Sequence, residues 1–486
     1  MNRQMSSMLE RLPLLFFLVM YVFSCYIGVI LLLSSDRFWA WTDLFSGPSL
    51  MPLDAASFRV LIILLHLGPL FFWLGYELAL VAWRRSWKRE LFTEVEDKRS
   101  VERLSLILFA VSVAIAVFSL ARGGAFSRLW VWSDYNAYVR ARWHLFATLT
   151  FFEYVNLYTW LPLSAVFLLL CRRRWWTFGT VLGIVSFLQL SLFLKKSLLT
   201  SLVLISCTLW AYWLSGRASR RTVRYGAWTK YGLALSCSLY LVHSALTIRL
   251  VLSASAGAFV SEQADEISRE RTVSPGAAGI SSSTKPDSSA RISPGILPSA
   301  PGPVSPAIVK FNRQPNPLTS GRGVVLYAIF SPLTRTSVPA IAYAELFPEK
   351  VPFFHVDLAQ DMLGIGRMPH DNLVVNDILW PYQKGGSVAV PFHFVLYSQG
   401  GLPVALLGSF LVGSFFSAVW YPLSRSRRLS MAGSLLAGLV LTFAWLNAID
   451  SLRNNFLASY GVFWGALPVV VIYLWAEGNR RQRESL

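Results

Sequence analysis

Charge is what this sequence has least of. Only 14% of its 486 residues are Asp, Glu, Lys or Arg, against about a quarter in soluble domains. With 54% hydrophobic residues, that deficit excludes an ordinary soluble domain and indicates an integral membrane protein. Acid is scarcer than base, 26 residues against 44, giving a net charge of +18. The excess does not point to nucleic acid, because the basic residues cluster between apolar runs as the positive-inside rule expects. Cysteine is nearly absent. Cys25, Cys171, Cys207 and Cys237 fall in or beside apolar runs without ligand spacing, so neither a disulfide nor a metal is expected. GxxxxGK[ST], HExxH, GxSxG and paired CxxC motifs are missing as well. Their absence removes any sign of ATP hydrolysis, zinc proteolysis or serine hydrolysis, and no cofactor is expected.

What the chain does have is apolar runs. A helix needs about 20 such residues to cross the hydrocarbon. Ten stretches qualify: 12–33, 59–82, 104–121, 147–170, 177–194, 197–214, 231–252, 391–421, 431–448 and 456–475. The first exceeds the roughly 7–15-residue core of a signal peptide and lacks a small-x-small cleavage site, so it is expected to remain. Arginine clusters at 84–103, 172–174, 217–224, 425–428 and 480–483 follow every second run. Ten crossings place all five clusters on one side of the membrane, with both termini cytoplasmic. The predicted fold is an all-α polytopic membrane protein with about ten transmembrane helices and a large extracytoplasmic loop bearing short helices. Its expected divisions are 1–255, with seven spans; 256–320, a Ser/Pro/Gly-rich disordered extracytoplasmic insert; 321–390, the extracytoplasmic site loop; and 391–486, with three spans. Lys195 and Lys196 leave little room to turn between 177–194 and 197–214. A tight hairpin is favoured there over one long broken helix, which would overshoot the bilayer.

Residues 331–401 are the longest stretch that is neither span nor low-complexity. Pro332, Pro339, Pro348, Pro352, Pro369 and Pro381 forbid one long helix there. The apolar part before Glu349 is read as helices lying at, or dipping into, the outer face, since an eleventh span would invert the last two basic clusters. Arg335 falls on an apolar helical stretch, where a bare charge is costly without a partner, and is the leading candidate for a diphosphate contact. His370 and Asp371, after Pro369, are candidates for a general base. Asp371 reads equally well as an N-cap of the helix NLVVNDILW. His355 and Asp357 are weaker alternatives, and Gly400-Gly401 reads as a helix break.

The loop 121–146 carries Arg122, Arg128, Arg140 and Arg142 among Trp130, Trp132, Tyr135 and Tyr138. Guanidinium forks suit phosphate, and the rings suit sugar faces. The same residue types also form interfacial belts. Lys195, Lys196, Arg249 and Arg453 repeat the pattern at other outer connections. Together they describe an electropositive basin for a phosphorylated ligand. His66 and Glu77 share one helix face, as a proton relay or, more simply, as a packing residue and a rim residue.

The Arg-bearing LTRTSVPAIAY, then PHDNLVVNDILWP, then GGSVAVPFHFVLYSQGGLPVALLG, following arginine-bearing outer loops, resemble the Wzy-type oligosaccharide repeat-unit polymerases of O-antigen and exopolysaccharide synthesis. The resemblance covers 320–425 and, more loosely, 121–200; the Ser/Pro-rich insert departs from it. It implies a metal-independent glycosyltransferase at the outer face that joins undecaprenyl-diphosphate-linked oligosaccharides. Arg335, Arg122, Arg128, Arg140 and Arg142 would hold diphosphates, with Lys195 and Lys196 beside them, and His370 would serve as base. Implied partners are the lipid bilayer, the lipid-linked oligosaccharides, and a chain-length regulator and flippase of the same pathway. An O-antigen-ligase-type enzyme and a lipid-linked-glycan transporter remain alternatives.

Overall fold

A computed structural model describes residues 8–35, 38–39, 53–86, 98–126, 144–145, 147–172, 175–192, 195–212, 334–354, 371–379, 388–425, 430–450 and 462–484. These residues are 88% helical and contain no strand. The helices are α1 (Leu12–Ser34), α2 (Ala55–Ser86), α3 (Lys98–Arg122), α4 (Phe151–Cys171), α5 (Trp175–Leu190), α6 (Lys195–Tyr212), α7 (Ser337–Leu346), α8 (Asp371–Leu379), α9 (Phe392–Arg425), α10 (Met431–Asn447) and α11 (Val462–Glu484). Five of them, α1, α2, the 101–122 part of α3, α4 and α9, are long and apolar enough to cross a membrane. Each predicted run on described residues contains one helix. The run 231–252 and the insert 256–320 lie outside the described residues.

A helix that is apolar all round belongs inside a bundle. That is the place of α10, which is buried at every residue from Gly433 to Asn447 and touches α1, α4, α6, α9 and α11. On one flank α3, α4, α5 and α6 pack together. On the other lie α1, α2, α7, α8 and α9. The helix α5 stops at Leu190 and α6 begins at Lys195, so residues 177–214 form two helices that touch.

The crossing of α2 with α9 is close. A methyl group at Gly75 would meet the Phe410 main chain, and one at Gly413 would meet Phe72 O. Ser414 Oγ donates to Gly75 O at 3.1 Å. Small residues let two backbones approach this closely where no hydrophobic force pushes helices together.

The sequence reading took 391–421 as a single span, and the structure corrects this. The helix α9 breaks at Gly400-Gly401, where Gly401 has φ +75°, a left-handed conformation that glycine adopts without strain. The chain doubles back there. Leu396 of the first half lies against Gly408 of the second, and Phe392 and Phe416 both reach the Phe72 ring.

One end of the bundle collects arginine. Arg84 at the end of α2 binds Glu10 at 2.5 Å, Arg425 at the end of α9 lies 4.0 Å from the same carboxylate, and Arg11 pairs with Glu77. Arg172 at the end of α4 binds Glu102 in α3 at 2.9 Å, while Cys171 touches Met431 at the start of α10. Members of three predicted basic clusters therefore share one end. Glu77 belongs to this rim. His66 is satisfied separately, with Nε2 3.1 Å from Tyr26 Oη and Nδ1 2.9 Å from Ile62 O, and the two do not form a relay.

At the opposite end Asp54 caps α2, accepting the Ala56 and Ser57 amides at 2.8 and 2.7 Å. The Ser57 amide foremost lowers the pKa of this carboxyl. The cap is complete above the ordinary carboxylate pKa and is lost as pH falls through the lowered one.

Two outcomes test this architecture. Gly413→Leu and Gly75→Leu are expected to abolish the monodisperse protein on size-exclusion chromatography in detergent. Ser414→Ala should cost only about 0.6 kcal/mol, the average for an interhelical hydrogen bond in a membrane. Single cysteines at Ser86 and Arg425 should react with a membrane-impermeant maleimide from one face, and those at Asp54 and Glu349 from the other.

Candidate functional site

Residues 334–354, 371–379 and 388–399 build the candidate site inside the bundle, from the middle of α1 toward the end away from the arginine rim. The ten residues of α7 are all buried. Pro339 sits in the first turn of α7, where a missing amide breaks no helical hydrogen bond. The helix α7 packs against α1, α2, α8 and α9.

Docking of α7 depends on a local defect in α1. Residues Val22–Tyr26 form a π-helical turn, and such turns leave main-chain carbonyls without a regular amide partner. Thr336 Oγ1 donates to Ser24 O, and Ser337 Oγ donates to Cys25 O at 2.9 Å. Ser24 Oγ in turn donates to Ala448 O at 3.2 Å. The tip of α7 is thus fixed halfway along α1. A second π-turn, Asn156–Trp160 in α4, is used the same way, with Gln189 Nε2 donating to Leu157 O at 2.5 Å.

Arg335 stands immediately before this tip. It was expected on the helix itself. Instead it occupies the turn ahead of α7, and its side chain is exposed while Thr334 and Thr336 on either side are buried. A guanidinium at a helix N-terminus adds its charge to the positive end of the helix dipole, a combination suited to an anion.

Asp371 is the centre of the other half of the site. It is the first residue of α8 and 7% exposed. Its Oδ2 accepts from Tyr343 Oη of α7 at 2.8 Å and from Ser398 Oγ of α9 at 2.7 Å. Gln399 Nε2 faces Ser398 Oγ from 3.4 Å, the long end of a hydrogen bond. The carboxylate therefore ties α7, α8 and the short first half of α9 together. Hydrogen bonds to a charged group are worth about 1.5–3 kcal/mol each, so it is a strong joint.

His393, one residue into α9, is wholly buried, and neither ring nitrogen has a partner. It packs as an aromatic ring, 5.3 Å from Tyr21 and 4.7 Å from Phe394, in space left by Gly68.

The remaining predicted residues divide plainly. Arg122, at the last residue of α3, gives Nη2 to Glu153 Oε2 at 2.5 Å and to Thr148 O at 2.7 Å, and its side chain stays 42% exposed. Thr150 and Glu153 form the capping box that opens α4. Lys195 and Lys196 begin α6. The topology sets these positions at the same end as Asp371. His370, Arg128, Arg140, Arg142, Arg249, Arg453, Trp130, Trp132, Tyr135 and Tyr138 lie outside the described residues, as do His355 and Asp357. Tyr343, Ser398 and Gln399 were not singled out from the sequence. Tyr343 is hidden in the apolar AIAYAEL, and Ser398-Gln399 carries no motif beyond the Gly-Gly that follows.

No protein-family model matches this sequence, and comparisons with curated proteins and with solved structures find no match. Function is therefore argued from the site.

If Asp371 is the joint, Tyr343→Phe and Ser398→Ala should each destabilise the purified protein by about 1.5–3 kcal/mol. The double variant should cost less or more than their sum, because both donors share one oxygen. Thermal unfolding in detergent measures both; strict additivity would show that the donors do not act on one carboxylate.

Proposed function

We propose that this protein is a glycosyltransferase of the outer membrane face that joins polyprenyl-diphosphate-linked oligosaccharide repeat units. The observation that carries the reading is the presence of two unlike parts, the first halfway along α1 and the second nearer the end opposite the arginine rim. One is an exposed arginine before a buried helix tip; the other is a buried carboxylate held by two hydroxyl donors.

In the proposed reaction an acceptor sugar hydroxyl attacks the anomeric carbon of the donor glycan. The new glycosidic bond forms as the carbon–oxygen bond to diphosphate breaks, and undecaprenyl diphosphate leaves with the bonding electrons. The hydroxyl proton passes to a base, with His370 proposed for that role and Asp371, its neighbour in the chain, as the fixed carboxylate beside it. Arg335 meets the charge that grows on the leaving diphosphate, with Arg122, Arg128, Arg140, Arg142, Lys195, Lys196, Arg249 and Arg453 proposed as further diphosphate-binding cations. Trp130, Trp132, Tyr135 and Tyr138 would stack against glycan. The wider proposal places ten spans in a bacterial inner membrane, both termini cytoplasmic, and the site extracytoplasmic. An O-antigen-ligase-type enzyme would share this layout and differ in its acceptor.

A transporter of lipid-linked glycan is the second reading, favoured by one observation. The short first half of α9 and all of α7 start inside the bundle, and discontinuous helices of this kind form the substrate sites of many transporters.

Deletion of the gene followed by glycan ladder analysis separates the readings. Loss of a polymerase leaves single repeat units on lipid at the outer face, loss of a ligase leaves unattached polymer, and loss of a transporter leaves units inside. Arg335→Ala is expected to shorten or abolish the ladder at unchanged protein level, and a full ladder from that variant would contradict the role given to Arg335.

A further inference from the structure

Two hydroxyl groups meet at Asp371. Tyr343 and Ser398 give their hydroxyl protons to its Oδ2, and Gln399 turns its amide nitrogen toward Ser398. Gln399 Oε1 is thereby left buried with nothing to accept. Next to Asp371 along α8, Asn372 Oδ1 is in the same position, and on α7 so is Glu345 Oε2, whose other oxygen takes Lys350. A buried polar atom without a partner costs about 1–3 kcal/mol and calls for an explanation. All three orphaned atoms here are acceptors.

That bias selects a ligand. A phosphate or diphosphate brings only acceptors and negative charge, and would face carboxylates and amide oxygens. A ligand that fits brings hydroxyl donors and no charge. An independent feature points the same way. The Phe354 amide donates to Ser398 O at 3.0 Å, which sets the half-buried rings of Phe353 and Phe354 beside the network. Phe353 lies against Gly401, where no side chain intervenes, with its edge to Tyr397 at 5.6 Å. Aromatic plates next to converging polar atoms suit a sugar, which has an apolar ring face and hydroxyls at its edge.

We infer that Gln399, Asn372, Phe353 and Phe354 form a carbohydrate subsite that receives hydroxyl protons of an uncharged sugar. This deepens the glycan-joining reading and rests on it for the identity of that sugar as the acceptor. Acceptor glycan and donor diphosphate are then sorted by hydrogen-bond sense. Acceptor atoms around Asp371 take the first, and the donor-only guanidinium of Arg335 takes the second.

The test uses the full-length protein in nanodiscs, with free oligosaccharides released by mild acid from the lipid-linked repeat units of the source cells. Saturation-transfer NMR should show aromatic protons of the wild type contacting the glycan, with no competition from inorganic pyrophosphate. Gln399→Leu and Asn372→Leu should each weaken that binding about tenfold, the equivalent of one hydrogen bond of about 1.4 kcal/mol. Arg335→Ala should bind the free glycan as the wild type does. Unchanged binding in both leucine variants, at unchanged melting temperature, would show that trapped water satisfies these oxygens and would overturn the subsite. Glycan binding that follows this pattern in a protein whose deletion leaves the ladder intact would uphold the subsite and overturn the joining reading.

Discussion

A peptide carbonyl inside an apolar bundle must find a donor, because neither lipid nor a dry core supplies one. Ser24 and Cys25 lie within the π-turn of α1, and their carbonyls accept the hydroxyls of Thr336 and Ser337. The rest of the site follows from this docking. With its tip fixed halfway along α1, α7 carries Tyr343 to Asp371, and Asp371 holds Ser398 at the end of the doubled-back first half of α9. The irregularity in one long helix is thus the anchor for two short ones.

The two ends of the protein use charge differently. At the arginine rim, acids and bases meet in pairs, Arg84 with Glu10 and Arg172 with Glu102, that join neighbouring helix ends. Toward the far end Arg122 pairs with Glu153 as well, while Asp371 accepts from the Tyr343 and Ser398 hydroxyls and Arg335, ahead of α7, is exposed. Paired charges fasten helices. An exposed guanidinium keeps its donors for something else. That contrast, more than any single residue, directs attention to the 334–399 segment.

Much of the frame was legible in the sequence because it rests on long apolar runs. Lengths near 20 residues, punctuated by arginine, marked α1 to α4 and the shared end of Arg84, Arg172 and Arg425. Gly400-Gly401 was legible as a break, since paired glycines permit the left-handed turn seen at Gly401. Its consequence was not. A run of apolar residues looks the same whether it crosses once or doubles back, so 391–421 read as one span. The π-turns were equally invisible, because VFSCY and NLYTW differ in no obvious way from ordinary helix. Asp371 was noticed from its place after Pro369, but its partners Tyr343 and Ser398 lie 28 and 27 residues away along the chain. Only the docking of α7 brings them together, and no local pattern records that.

The docking of α7 on α1 can be measured directly, because Cys25 lies within hydrogen-bonding reach of Thr336. The experiment places Thr336→Cys in a chain whose other native cysteines, Cys171, Cys207 and Cys237, are replaced by alanine. A protease site in the 256–320 segment then reports whether the two halves stay joined after mild oxidation in native membranes. A disulfide between positions 25 and 336 that keeps the halves together without reductant is the result this account predicts. Halves that separate despite oxidation, while the protein remains folded, would contradict it.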